Sequence, residues 1–186
     1  MEELKKETVF ARENLESDEY RKKVDSLESD LHELRGELAD VEIKILQDKG
    51  YKPINIDNIT IMAPVGMSFQ QLHNAIQQME PPDEGRERAI KNLVKEEDRR
   101  SVHDHEDYQE VVEDRQDIID DVMKVYQDFW DNEVEPIAET DDEKVTYMMV
   151  GLDRNIRARK LSDITGVSKY ECRKYSFSDS EVVRKR

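Results

Sequence analysis

From Tyr20 onward the apolar residues of the N-terminal segment step by four and three: Tyr20, Val24, Leu27, Leu31, Leu34, Leu38, Val41, Ile45. That is the 3.5-residue rhythm of a coiled coil, with Val24, Leu31, Leu38 and Ile45 at a and Tyr20, Leu27, Leu34 and Val41 at d. Residues 1–49 contain no proline and read as one long helix, whose seam degrades upstream at Glu13 and Ser17. A strict a/d seam is narrower than the apolar face of an ordinary globular helix. It predicts self-association through Val24, Leu27, Leu31, Leu34, Leu38, Val41 and Ile45; the alternative is a stripe lying on the chain's own body. In a parallel dimer Lys23 would face Glu28 and Asp30 would face Arg35, both attractive, while Glu37 would face Glu42.

Gly50, Pro53, Pro64 and Gly66 bracket a change of pattern. Ile54, Ile56, Ile59 and Ile61 lie among Asn and Asp, which predicts at most a short strand pair near 54–62. Ser68 and Gln71 form a capping-box signature for a helix whose buried face would be Phe69, Leu72, Ala75, Ile76 and Met79. Pro81, Pro82 and Gly85 end it. A short charged helix over 86–100 would turn Ala89, Ile90, Leu93 and Val94 inward. A long amphipathic helix follows from about 106 to 131, with Tyr108, Val111, Val112, Ile118, Ile119, Val122, Tyr126, Phe129 and Trp130 at helical spacing as core. Residues 132–139, containing Pro136, read as a linker.

Three helical signals close the chain. Thr140 and Glu143 form a capping box for a helix burying Val145, Met148, Met149 and Leu152. Ala158 to Thr165 follows, with Leu161 and Ile164 inward, and Gly166 interrupts it. Ser168 and Glu171 form a further capping box, opening a helix with Cys172 and Tyr175 inward. The expected fold is all-α. A coiled-coil oligomerisation helix occupies 1–49 and an acidic helical middle domain 50–131. A linker at 132–139 leads to a basic three-helix domain at 140–186.

Charge sharpens this division. The 186 residues carry 45 Asp+Glu against 29 Lys+Arg, a net of −16. Residues 144–186 hold 11 basic and 5 acidic groups, a net of +6, so residues 1–143 hold a net of −22. Such a sign asymmetry points to a nucleic-acid-binding end; the bland alternative is a basic tail docking on its own acidic body. The acid excess also suits proteins of salt-loving organisms, although lysine is not depleted.

Little else in the sequence suggests chemistry. No run of 18 apolar residues exists, so no membrane span is expected. The start Met-Glu-Glu-Leu-Lys-Lys-Glu lacks the apolar region of a secretory leader, which predicts a cytoplasmic protein or one inside a virion. Cys172 is the only cysteine, so neither an intrachain disulfide nor a thiolate zinc cluster is expected. Six widely spaced glycines form no phosphate-cradling loop. His103 and His105 resemble a metal pair, but His-x-His on a helix points its rings apart, so a solvated helix start is the better reading. No catalytic fingerprint is present; a non-enzyme without cofactor or metal is expected.

The stretch ARKLSDITGVSKYECRKYSF resembles the helix-turn-helix superfamily over residues 141–176. Leu161 takes the first apolar position, Ser162 the small one, Gly166 the turn, Val167 the plug, and Cys172 and Tyr175 the inward face of a recognition helix. The resemblance implies a three-helix fold that binds double-stranded DNA. Lys169, Tyr170 and Arg173 would read bases; Arg157, Arg159, Lys160 and Lys174 would hold phosphates; Arg184, Lys185 and Arg186 would add non-specific attraction. With the coiled coil, this is the plan of an oligomeric transcriptional regulator or a genome-end recognition factor. Small terminase subunits of tailed viruses share the parts list, usually with the reading head at the other end. The alternative is a non-enzymatic assembly protein, such as a virion head–tail connector or scaffold, that uses the same helices for protein contacts.

Overall fold

The computed structural model describes residues 2–56, 59–77 and 93–178. These are mostly helical, with one antiparallel strand pair. In chain order they form α1 (Glu2–Asn14), α2 (Asp18–Asp48), β1 (Tyr51–Ile56), β2 (Ile59–Pro64), α3 (Phe69–Gln77), α4 (Glu96–His103) and α5 (Glu106–Phe129). A π-turn (Trp130–Val134), α6 (Asp141–Gly151), α7 (Ala158–Thr165) and α8 (Lys169–Ser178) complete the series.

The chain packs as two compact units, one of residues 1–30 with 118–186, the other of residues 31–117. Helices α2 and α5 each contribute to both. Packing therefore groups residues differently from the segments expected along the sequence.

In the first unit the expected single N-terminal helix is broken. Residues 15–17 are non-helical, with Leu15 and Ser17 both buried. The break lets α1 pack on α6, and the Phe10 and Tyr147 rings lie 5.9 Å apart. The seam irregularity at Glu13 and Ser17 was the local sign of this turn. Downstream, α5 does not stop at a linker. It runs on into the π-turn, closed by a bond from the Glu135 N–H to the Trp130 carbonyl at 2.8 Å. The wider turn draws Phe129, Trp130 and Val134, all buried, into a narrower arc than an α-helix would. Residues 132–134 of the expected linker are thus helical and partly core.

The second unit is built around the hairpin. Tyr51 pairs with Pro64 and Ile54 with Ile61, so the strands extend slightly beyond 54–62. Because successive side chains alternate faces, the hairpin feeds two apolar clusters. Met62 and Tyr51 join Ile45, Leu46, Val94 and Val102 on one face. Ile61 and Ala63 join Leu72 and Leu93 on the other. Tyr51 is anchored further by its hydroxyl, which donates to Asp98 Oδ2 at 2.8 Å and accepts from the Lys95 N–H at 3.1 Å. Burial raises its pKa, and the Lys95 bond opposes that rise.

The Ser68–Gln71 box forms as expected. The Gln71 N–H donates to Ser68 Oγ at 3.3 Å and the Ser68 N–H donates to Gln71 Oε1 at 2.8 Å. Its helix has a narrower buried face than the pattern predicts, however. Leu72 is buried, whereas Phe69 is 82% exposed and stacks on His73, 6.2 Å away. Phe69 opens the helix next to its cap, before the helix meets the hairpin face. The expected core positions Ile76, Met79, Ala89 and Ile90 lie outside the residues whose side chains are described, and the expected 86–100 helix is described only from Leu93 onward. Leu93 is helical, residues 94–95 are not, and α4 then runs from Glu96 to His103.

Candidate nucleic-acid interface

Helices α6, α7 and α8 pack on one another. The Thr140 hydroxyl caps α6 by accepting from the Glu143 N–H at 3.2 Å. The Glu143 carboxylate accepts in return from the N–H groups of Thr140 at 2.9 Å and Glu139 at 2.8 Å. Those bonds favour its ionised form and hold Glu143 below the usual carboxylate range, the Thr140 N–H contributing most. From this start α6 buries Val145, Met148 and Met149, and Leu152 just beyond its end.

Three features specify the end of α6. A Cβ on Gly151 would lie 2.9 Å from Phe129 Cε1 and closer still to Cζ, so only glycine admits this approach. Asp153 then takes the left-handed conformation, φ 51°. Its N–H reaches the Val150 carbonyl at 3.1 Å, and the Arg154 N–H reaches that of Met149 at 2.9 Å. These are the two bonds of a Schellman cap. Third, α2 supplies a cation to the C-terminal end of the helix dipole, with Arg21 Nε donating to the Gly151 carbonyl at 2.6 Å. Arg154 answers from the other side, its two terminal nitrogens bonding Asp25 and Glu28 of α2.

The α7–α8 corner follows the local signals closely. Leu161 and Ile164 are buried on α7. Gly166 caps it at φ 72°, a conformation in which a side chain is strained. Thr165 is buried too; its hydroxyl donates to the Leu161 carbonyl at 2.7 Å and accepts from the Val167 N–H at 3.3 Å. Val167 plugs the corner and Cys172 is wholly buried against it. Burial pushes the Cys172 thiol pKa up, which suits a packing role. Ser168 caps α8 by accepting from the Glu171 N–H at 3.2 Å. The reciprocal half of that box is replaced by an ion pair, because the Glu171 carboxylate bonds Lys174 Nζ at 2.8 and 3.0 Å.

Lys169, Tyr170 and Arg173 are exposed on the first turns of α8, and Tyr170 is 69% exposed. Arg157 and Arg159 are exposed at the start of α7. Lys160, Tyr170 and Lys174 have side-chain contacts within the chain. Lys160 is half-buried, with Nζ 6.0 Å from the centre of the Tyr126 ring. Lys174 pairs with Glu171 and sits 4.8 Å from the centre of the Tyr170 ring. The Tyr175 side chain and residues 184–186 lie outside the described residues. Arg21, Gly151 and Arg154 carry no local signal in the sequence, since the side chains that explain them are distant along the chain.

The a/d stripe of α2 is used unevenly. Val24 is wholly buried in the first unit and Ile45 is buried in the second. Tyr20 meets the Phe129 ring edge-on at 5.2 Å. Leu27, Leu31, Leu34, Leu38 and Val41 are half-buried. At His103 and His105 the chemistry is local. The His103 ring lies 5.2 Å from that of Tyr108, and His105 Nδ1 accepts from the Asp107 N–H at 3.3 Å, capping α5. Among the described residues no three His, Cys, Asp or Glu side chains converge for a metal ion, and no helix is long and apolar enough to cross a membrane. The chain matches no family model, no curated protein and no solved structure.

Proposed function

We propose that this is an oligomeric DNA-binding protein that uses α7, the Gly166 turn and α8 as a helix-turn-helix, in the manner of a transcriptional regulator or a genome-end recognition factor. The observation that carries this reading is the two-sidedness of the corner. Leu161, Ile164, Val167 and Cys172 seal its inside, while Lys169, Tyr170 and Arg173 stand exposed on the turns of α8 that would enter a major groove. Arg157 and Arg159 flank the groove as phosphate ligands. Lys160 and Lys174 serve this purpose less well, being held by Tyr126 and Glu171. Self-association is carried by the half-buried part of the α2 stripe, Leu27 to Val41, because its ends are already covered.

Duplex binding titrated against salt is the test. The two phosphate contacts of Arg157 and Arg159 give each head a slope of about −2 in log affinity against log salt. Arg159→Ala should flatten that slope by about one unit and weaken all duplexes alike, whereas Arg173→Ala should cost about 1–3 kcal/mol and relax preference at one base pair. Wild-type protein that ignores duplex DNA at low salt would overturn the reading. The net −22 of residues 1–143 favours the second reading, a non-enzymatic assembly protein such as a virion connector or scaffold, which that result would bring forward.

A further inference from the structure

The loop between α6 and α7 leads into the proposed reading head. It is short, and both of its apolar residues, Leu152 and Ile156, are buried. Between them stands Arg154, whose side chain is only 18% exposed although it is charged. Its backbone is fixed by the Schellman bond to Met149. Its guanidinium bonds Asp25 with one terminal nitrogen and Glu28 with the other. These two acids are three residues apart on α2 and share a face, so their carboxylates match the planar fork of an arginine and not the point charge of a lysine. The same stretch of α2 sends Arg21 the opposite way, onto the Gly151 and Val150 carbonyls at 2.6 and 3.4 Å. Each element therefore supplies one arginine to the other.

We propose that Arg154 is a positioning residue for duplex recognition, acting through Asp25 and Glu28 to hold the joint from which α7 and α8 project. The inference rests on the reading of α8 as a DNA-contacting helix. It assigns Arg154, a basic residue in the basic part of the chain, to the protein and not to phosphate. It also gives two acids of the acidic segment a role in binding a polyanion, which is opposite in sign to their direct electrostatic effect.

That sign makes the proposal testable in the full chain. Removing two negative charges by Asp25→Asn with Glu28→Gln should strengthen duplex binding if charge alone matters. On this proposal it weakens binding by about tenfold, as expected when a recognition group loses its supporting shell. Arg154→Gln should do the same, with the salt slope of wild type, because no phosphate contact is lost. Binding is compared at a temperature where circular dichroism shows each variant fully folded. Tighter binding in the double variant, a slope flattened by one unit in Arg154→Gln, or full recovery in Arg154→Lys would each overturn the proposal. Amide hydrogen exchange separates it from the function it rests on. Both variants should speed exchange across 158–174 and leave 38–48 unchanged. If wild-type protein binds no duplex, the functional reading fails, and the exchange data then show whether Arg154 holds the joint at all; unchanged exchange overturns that as well.

Discussion

Helix α2 and the α7–α8 corner both look self-explanatory in the sequence, yet they behave differently. At the corner every determinant sits within a few residues of what it determines. Gly166 turns the chain, Thr165 bridges Leu161 and Val167, and Ser168 starts α8. Along α2 an equally regular stripe is buried at Val24 and Ile45 and half-buried between them. Its determinants are remote: Phe129 against Tyr20, Arg154 against Asp25 and Glu28, and Tyr108 beside the Ile45 cluster. A regular pattern states that a surface will be buried. It does not state by what.

The sharpest way to break this contrast is to remove one leucine from each region. Leu161→Ala empties a fully buried site and should cost about 2–5 kcal/mol. Leu34→Ala, on the half-buried stripe, should cost well under half as much in the monomer. Urea midpoints with unchanged m-values would show this. A further loss that depends on protein concentration would come from the intermolecular seam proposed for Leu27 to Val41.

Next in size is Gly151→Ala. Its methyl group would run into the Phe129 ring and reach Leu15 Cδ1 at 3.1 Å. Overpacking of this kind should cost about 1–3 kcal/mol, read from thermal or urea unfolding. An unchanged midpoint would mean that α6 can shift away from Phe129, and that the remote contact is looser than the local ones.

Thr140→Ala tests a purely local determinant and should cost about 1 kcal/mol near neutral pH. The sign of its pH dependence follows from the depressed pKa of Glu143. A carboxylate more acidic in the folded state stabilises the fold fully above its unfolded pKa, and that contribution is lost as pH falls through the folded value. Glu143→Gln should therefore lower stability near neutral pH and converge with wild type in acid. A difference that persists undiminished at low pH would show that ionised Glu143 is not the source.

The smallest expected effect is a gain. Asp153 holds φ 51°, which glycine adopts without strain. Asp153→Gly should stabilise by up to about 1 kcal/mol, less the added freedom of the unfolded chain. A loss would reveal a contact of the Asp153 side chain that outweighs backbone relief.

How much of the fold was legible follows the same division. The capping boxes at Ser68 and Thr140, the hairpin, the limits of α7 and the turn at Gly166 were all readable, since each rests on hydrogen bonds or φ preferences within a few residues. Ser168 caps as read, but the answering side of its box went to Lys174, because a cation three residues away competes for the same carboxylate. Of the candidate contact residues, the exposure of Lys169, Tyr170 and Arg173 could be read from helical phase. The diversion of Lys160 to Tyr126 could not, since nothing near residue 160 announces a ring on another helix.

The sequence by itself determined where most helices start and stop, which faces are apolar, and that a basic end follows an acidic body. Those properties depend on periodicity, capping and composition, which short stretches of chain carry in full. Only the tertiary structure decided that the N-terminal helix breaks at Leu15–Ser17, that Phe69 is left outside, that α5 widens into a π-turn, and that Arg21 bonds the end of α6 while Arg154, in the loop beyond it, bonds α2. Each of these depends on the shape or charge of a surface formed by distant residues. Gly151 shows the reason most simply: its sequence neighbours would accept alanine in a helix, and the Phe129 ring packed against it does not.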